Sequence, residues 1–210
     1  MIFNPRCRRC LRLVDFLGQV KKDYPNYHAA PVAPFGNAKA RLLIVGLAPG
    51  MHGANATGRP FTGDHAGILL YQTLFDYGFS NQPEASSRKD GLKLHNCRIT
   101  NAVKCLPPQN KPIGSEINNC NSFLHDELES MPKNSLVISL GSIAHQAIIK
   151  ALGLRQKAFP FGHGKEHEIS DQLLLIDSYH CSRYNTQTRR LTTAMFQQIF
   201  SRAREYLNCR

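Results

Sequence analysis

Short apolar runs alternating with helical patterns constrain this chain more than any other feature. Four runs stand out, residues 41–47 (RLLIVGL), 96–103 (NCRITNAV), 135–140 (SLVISL) and 173–178 (LLLIDS). Each reads as a strand, and a run such as Leu42-Leu43-Ile44-Val45 is apolar on both of its faces. Such a strand is stable only in the middle of a sheet covered on both sides. Between the runs lie segments of helical periodicity, residues 65–77, 115–128 and 142–152, with 11–20 leading and 191–207 closing the chain. Strand–helix alternation predicts a parallel sheet flanked by helices, with ligands bound at the carboxyl ends of the strands. At 210 residues one domain, residues 1–210, is expected.

Charge narrows the class of partner. Lys and Arg number 26 against 15 Asp and Glu, a formal net charge of +11. That balance favours polyanions, nucleic acid first. The basic residues form no long block, so they belong to a folded surface rather than a tail. No apolar run reaches the ~20 residues of a membrane span. The first residues, Met1 to Cys7, have no apolar signal core, so a cytoplasmic protein without membrane association is expected. A monomer is the default expectation. The chain has seven cysteines, an odd count that argues against a disulfide framework in a reducing compartment.

Chemistry is expected just after each strand. After the first, residues 46–64 hold five glycines and two prolines. Glycines there let the backbone approach a ligand and present its N–H groups. The segment has neither the phosphate-loop Gly-Lys-Ser/Thr nor a G-x-G-x-x-G pattern, and Asp64 at its end is placed to cap the next helix. After the second strand, Asn101 offers a donor and an acceptor suited to a nucleobase edge, though at a strand end it also suits a turn. After the last strand, His180 is followed by hydroxyls, Tyr184 and three arginines, a mix suited to phosphates and bases. Cys7-x2-Cys10 is a chelating pair, and Cys105 and Cys120 have fourteen residues between them. Together they supply four thiolates, enough for zinc or an iron–sulfur cluster. Cys97 reads as a core thiol, and Cys181 and Cys209 as incidental. The polar stretch 80–90 reads as an exposed loop.

Taken together, the motifs Gly46-Leu47-Ala48-Pro49-Gly50, Thr57-Gly58-Arg59-Pro60-Phe61-Thr62-Gly63-Asp64, Asn101-Ala102-Val103-Lys104-Cys105 and His180-Cys181-Ser182-Arg183-Tyr184-Asn185-Thr186 resemble the uracil-DNA glycosylase superfamily. Within it, the type 5 branch, related to the iron–sulfur type 4 branch, is the nearest in pattern, from Cys7 to about Thr192. The resemblance implies an α/β fold of three layers, α/β/α, with a central four-stranded parallel sheet. It implies a 4Fe–4S cluster on Cys7, Cys10, Cys105 and Cys120. It implies DNA containing uracil, or other deaminated bases such as hypoxanthine, as substrate. Where other branches carry a water-positioning carboxylate or amide this chain has Leu47, and Asp64 is the implied substitute. Cys181 replaces a proline found in other branches.

The mechanism so implied begins with flipping the nucleotide out of the duplex. Phe61 stacks on the base, Asn101 reads its edge, and backbone N–H groups of Gly46 to Gly50, with Leu47, Ala48 and Pro49 between, approach its oxygens. Asp64 orients water or stabilises the sugar cation. His180 stabilises the departing base as an anion. Ser182, Arg183, Tyr184 and Asn185 face the DNA, with Arg183 or Tyr184 as the wedge. No lysine stands out as a Schiff-base nucleophile, so hydrolysis without strand cleavage is expected. The rival readings are a non-catalytic nucleic-acid-binding protein with an iron–sulfur or zinc site, and a hydrolase of small nucleosides, for which the charge would be surplus.

Overall fold

Alternate residues of a strand point to opposite faces, and the computed structural model, which describes residues 3–209, shows both sets buried. In β2 (Leu42–Gly46) all five residues are buried. Leu42 and Ile44 enter one core and Leu43 and Val45 the other. β3 (Cys97–Asn101), β4 (Ser135–Leu140) and β6 (Leu173–Ser178) complete a four-stranded parallel centre, in the order β3-β2-β4-β6. Register places Ile99, Ile44, Ile138 and Ile176 side by side across it.

Helices cover both faces. α3 (His65–Asp76) and α7 (Thr193–Asn208) pack Leu70, Tyr71, Leu74, Phe196 and Phe200 on one side. α4 (Gly114–Glu129) and α5 (Ser142–Ala151) pack Leu124, Leu128 and Ile148 on the other. α1 (Leu11–Asp23) buries Leu13, Leu17 and Val20, one helical stripe, against a third, smaller core. That core also holds Cys105 and Cys120, with Cys7 and Cys10 packed on it. Among the described residues no helix is long and apolar enough to cross a membrane.

The central parallel sheet and its covering helices are those expected. The sheet is wider, however, with two antiparallel edge strands, β1 (Phe35–Gly36) beside β3 and β5 (Glu166–Ser170) beside β6. β1 spans two residues, and β5 reads Glu-His-Glu-Ile-Ser with its first and third residues exposed. An edge strand of this kind carries no continuous apolar signal. Two short helices, α2 (Ala54–Thr57) and α6 (Arg183–Gln187), lie in the segments that follow β2 and β6. Cys181 is also not incidental: it is fully buried in the core beneath α3 and α7.

Candidate active site

The parallel strands deliver their carboxyl ends to one side of the molecule, Gly46 of β2 directly beside Asn101 of β3. A cavity of about 430 Å³ opens there, between the segment after β2 and the one after β6. Leu47, Ala48, Gly50, Phe61, Asp64, Asn101, His180, Ser182 and Arg183 line it. Nine of the residues singled out in sequence, from four separate segments, thus meet in one place. Gly46 lies directly behind the wall: a Cβ on it would fall 2.5 Å from Asn101 Oδ1 and 2.7 Å from the Phe61 ring. Pro49, Tyr184 and Asn185 do not line the cavity. Tyr184 is 70 % exposed on α6, and Asn185 donates to the His180 carbonyl at 2.8 Å.

Asn101 is almost fully buried, and among the described residues its Oδ1 meets no hydrogen-bond donor. Buried polar atoms are rarely left so, and this one borders a cavity. The backbone that carries it is fixed from behind. Lys104, itself 2 % exposed, donates to the Asn101 carbonyl at 2.9 Å and to Glu127 Oε1 at 2.6 Å.

Phe61 sits in the left-handed region, at φ 53°, a conformation that costs a non-glycine residue energy unless its surroundings impose it. They do. Tyr71 Oη donates to Pro60 O at 2.7 Å, and Arg59 reaches Thr62 Oγ1 at 2.8 Å. Arg59 also pairs with Asp90 in a buried fork. α3 closes so tightly on this turn that a Cβ on Gly67 would lie 1.9 Å from the Phe61 carbonyl oxygen. Asp90 further accepts from Ser86 N, Ser87 N and Leu92 N. The 80–90 stretch is therefore not simply an exposed loop, since its end is pinned beneath the Phe61 turn.

Asp64 is both cap and lining residue. Its Oδ1 accepts from Gly67 N at 2.8 Å, closing the first turn of α3. Burial raises its pKa, opposed by the Gly67 N–H and by His65. His180 follows β6, with its ring 5.9 Å from Phe61 and inclined to it by 29°. Desolvation of that ring lowers its pKa to about 4, so at neutral pH it is an uncharged imidazole. Ser182 caps α6, its Oγ accepting from Asn185 N.

The cavity also holds residues that the sequence did not flag, His65, Ala54, Ala66 and Asn110. Asn110 comes from the turn after Pro107-Pro108, where it and Gln109 both have φ 56°. Consecutive non-glycine residues of positive φ have no strong sequence signal. His65 follows Asp64 and reaches Thr186 Oγ1 of α6 at 3.1 Å, tying the two sides of the cavity together. A second cavity, of about 540 Å³, shares Asp64, His65 and Arg183 with the first.

Cys7, Cys10, Cys105 and Cys120 converge behind the site. Burial, then the neighbouring Cys120, Cys7 and Cys10, push the Cys105 thiol up to about 12, so the four sulfurs share one electrostatic environment. They are not drawn together as the ligands of a single ion are. Among the described residues, the group with ligand atoms within 4.8 Å of one another is His145, His167 and Asp177.

Comparison with known proteins agrees with this geometry. The family model of the uracil DNA glycosylase superfamily matches residues 33–204. The chain is 43 % identical over 203 residues to the type-5 uracil-DNA glycosylase of Thermus thermophilus, covering 94 % of this chain and 92 % of that protein. It is 41 % identical over 207 residues to that of Pyrobaculum aerophilum, covering 97 % and 90 %. A type-4 uracil-DNA glycosylase of Archaeoglobus fulgidus is more distant, at 30 % over 199 residues, covering 92 % and 86 %. All four motifs at the strand ends fall within the matched span, and the chain belongs to the uracil-DNA glycosylase superfamily.

Proposed function

We propose that this protein excises uracil from DNA by hydrolysing the N-glycosidic bond of a flipped-out nucleotide, leaving an abasic site in an uncut strand. The orphaned Oδ1 of Asn101, at the edge of a cavity also lined by Phe61, Asp64 and His180, carries the reading. A flipped base supplies the donor that Asn101 lacks. Phe61 offers its ring as the stacking surface. The neutral His180 ring donates one N–H to the base oxygen on which charge grows as the bond breaks. Asp64, ionised, orients the attacking water or offsets the positive charge developing on the sugar. The one fully buried lysine of this region, Lys104, is engaged by Glu127, Thr100 and the Asn101 carbonyl. It is not among the cavity's lining residues, which supports hydrolysis without a Schiff base.

Other deaminated bases are within reach of the same site. A cavity of about 430 Å³ accommodates a bicyclic purine such as hypoxanthine as well as a pyrimidine. Tyr184, exposed beside the mouth, is the better placed wedge, because Arg183 is turned to the cavity lining. Cys7, Cys10, Cys105 and Cys120 are suited to an iron–sulfur cluster. They provide four thiol donors in one place, and their spacing is wider than one tetrahedral ion draws its ligands. Bound there, a cluster would give structural support, tying the segment before α1 to α4 and to the segment that follows β3.

An end-labelled duplex with one deoxyuridine opposite guanine tests the reaction. The expected outcome is an alkali-dependent break at that site, absent without alkali and lost in Asp64→Ala and His180→Ala. No break from a cluster-loaded, DNA-binding preparation, with deoxyuridine or with deoxyinosine, would leave a binding protein that has kept the fold without the reaction.

A further inference from the structure

Asp177 lies three residues before His180 and is fully buried in β6. Its carboxylate takes four hydrogen bonds: from Ser139 Oγ of β4 at 2.7 Å, His145 Nδ1 of α5 at 2.7 Å, His167 Nε2 of β5 at 3.0 Å and Gly162 N at 3.2 Å. The other ring nitrogen of His145, Nε2, lies 2.7 Å from the carbonyl oxygen of Phe159. A carboxylate oxygen and a carbonyl oxygen can only accept. Both nitrogens of His145 therefore carry protons, and its ring, 1 % exposed, is an imidazolium paired with Asp177.

Burial disfavours the cation, but the hydrogen bond and field of Asp177 outweigh it, and the His145 pKa is raised. Lys165 opposes it from the neighbouring loop, and His167 shares the far oxygen of Asp177. A buried ion pair contributes little net stability over an apolar replacement. What this one does is geometric. It pins residues 159–165 at Phe159 O and Gly162 N, and the Asp177 backbone adds Gly164 N to Asp177 O at 2.8 Å and Asp177 N to Lys165 O at 2.9 Å. The pinned loop presents His163, whose Nδ1 accepts from Tyr179 N at 3.1 Å and whose ring stacks on Tyr179 at 5.0 Å. Tyr179 leads directly into His180.

We propose that Asp177 and His145 are positioning residues for His180, a buried carboxylate–imidazolium pair that locks the 159–165 loop so that His163 fixes the Tyr179 backbone. The proposal rests on the role given to His180 above. Its first test needs no catalysis. Long-range 1H–15N spectra of the full-length protein should show both His145 nitrogens protonated at pH 7, above the ordinary histidine pKa of about 6.5. A bare nitrogen on His145 overturns the pair. So does one zinc ion per chain that is lost in Asp177→Asn, since a metal would then stand where the proton is placed.

The second test is kinetic. In folded Asp177→Asn and His163→Ala, kcat for uracil excision should fall about tenfold to hundredfold, the scale of a small misplacement. KM should stay within about twofold, and the His180 ring signals should move. His163→Gln, which keeps an acceptor for Tyr179 N–H, should restore most of the rate. If Asp177→Asn does not fold, His163→Ala carries the test alone. Wild-type kcat in the folded variants overturns positioning. A wild-type protein that excises no uracil would overturn the assigned reaction instead, while the spectra still decide the pair.

Discussion

At the scale of single residues, Asp64 holds the clearest conflict between stability and work. Burial raises its pKa, so keeping it ionised at pH 7 opposes folding. Asn caps a helix as well as Asp does. Asp64→Asn should therefore be at least as heat-stable as wild type at pH 7. That gain disappears below the unfolded carboxylate pKa of about 3.9, where both states are protonated. Its kcat should nonetheless fall about a hundredfold or more, with affinity for uracil-containing duplex little changed. A melting curve and single-turnover kinetics on the same preparation check both halves. The pH profile follows from Asp64 and His180. His180 stays neutral above about 4, so no limb should appear near 6.5. Activity should fall on acidification as Asp64, whose pKa burial raises, takes up a proton. A protonation step near the usual histidine pKa that vanishes in His180→Asn would contradict this.

At the scale of elements, the turn bearing Phe61 is held by the buried Arg59–Asp90 fork. Arg59 and the backbone N–H groups around it hold the Asp90 carboxyl far below its usual range. The stabilisation is thus full above the unfolded carboxylate pKa of about 4 and is lost only as pH falls through the depressed folded value. Asp90→Ala leaves Arg59 buried without its partner and should cost about 3–5 kcal/mol, read as a lower denaturant midpoint. Gly67→Ala, whose new Cβ collides with the Phe61 carbonyl, should disturb the same turn from the other side. Neither link was legible in the sequence. The four central strands were, because burial on both faces leaves a continuous apolar run. α1 was legible because Leu13, Leu17 and Val20 repeat at helical spacing. β5 was not, since its residues meet one neighbour and alternate towards water. Motifs at the strand ends located Asn101, Asp64 and His180, but Glu127, which holds Lys104 beside Asn101, and the supports Asp90 and His145 come from distant parts of the chain. A buried charge gives no local pattern until its partner is known.

At the scale of the whole molecule, the net charge of +11 and the siting of every proposed reactive group at one end of the sheet belong together. Binding to a duplex should weaken steeply as salt rises, with a linear log–log slope. Hydrolysis of free deoxyuridine, if measurable at all, should show no such dependence. Titrating Kd between about 50 and 200 mM salt separates the two. The ring of Tyr184, 70 % exposed on α6 next in sequence to the lining residue Arg183, has a use beyond repair. The chain contains no tryptophan, so its fluorescence in the indole band is dark. Tyr184→Trp would place the molecule's sole indole at the proposed wedge position. Its emission should be quenched on adding duplex and recover on release. The enzyme would then report its own residence on DNA, turnover by turnover, without any label on the nucleic acid.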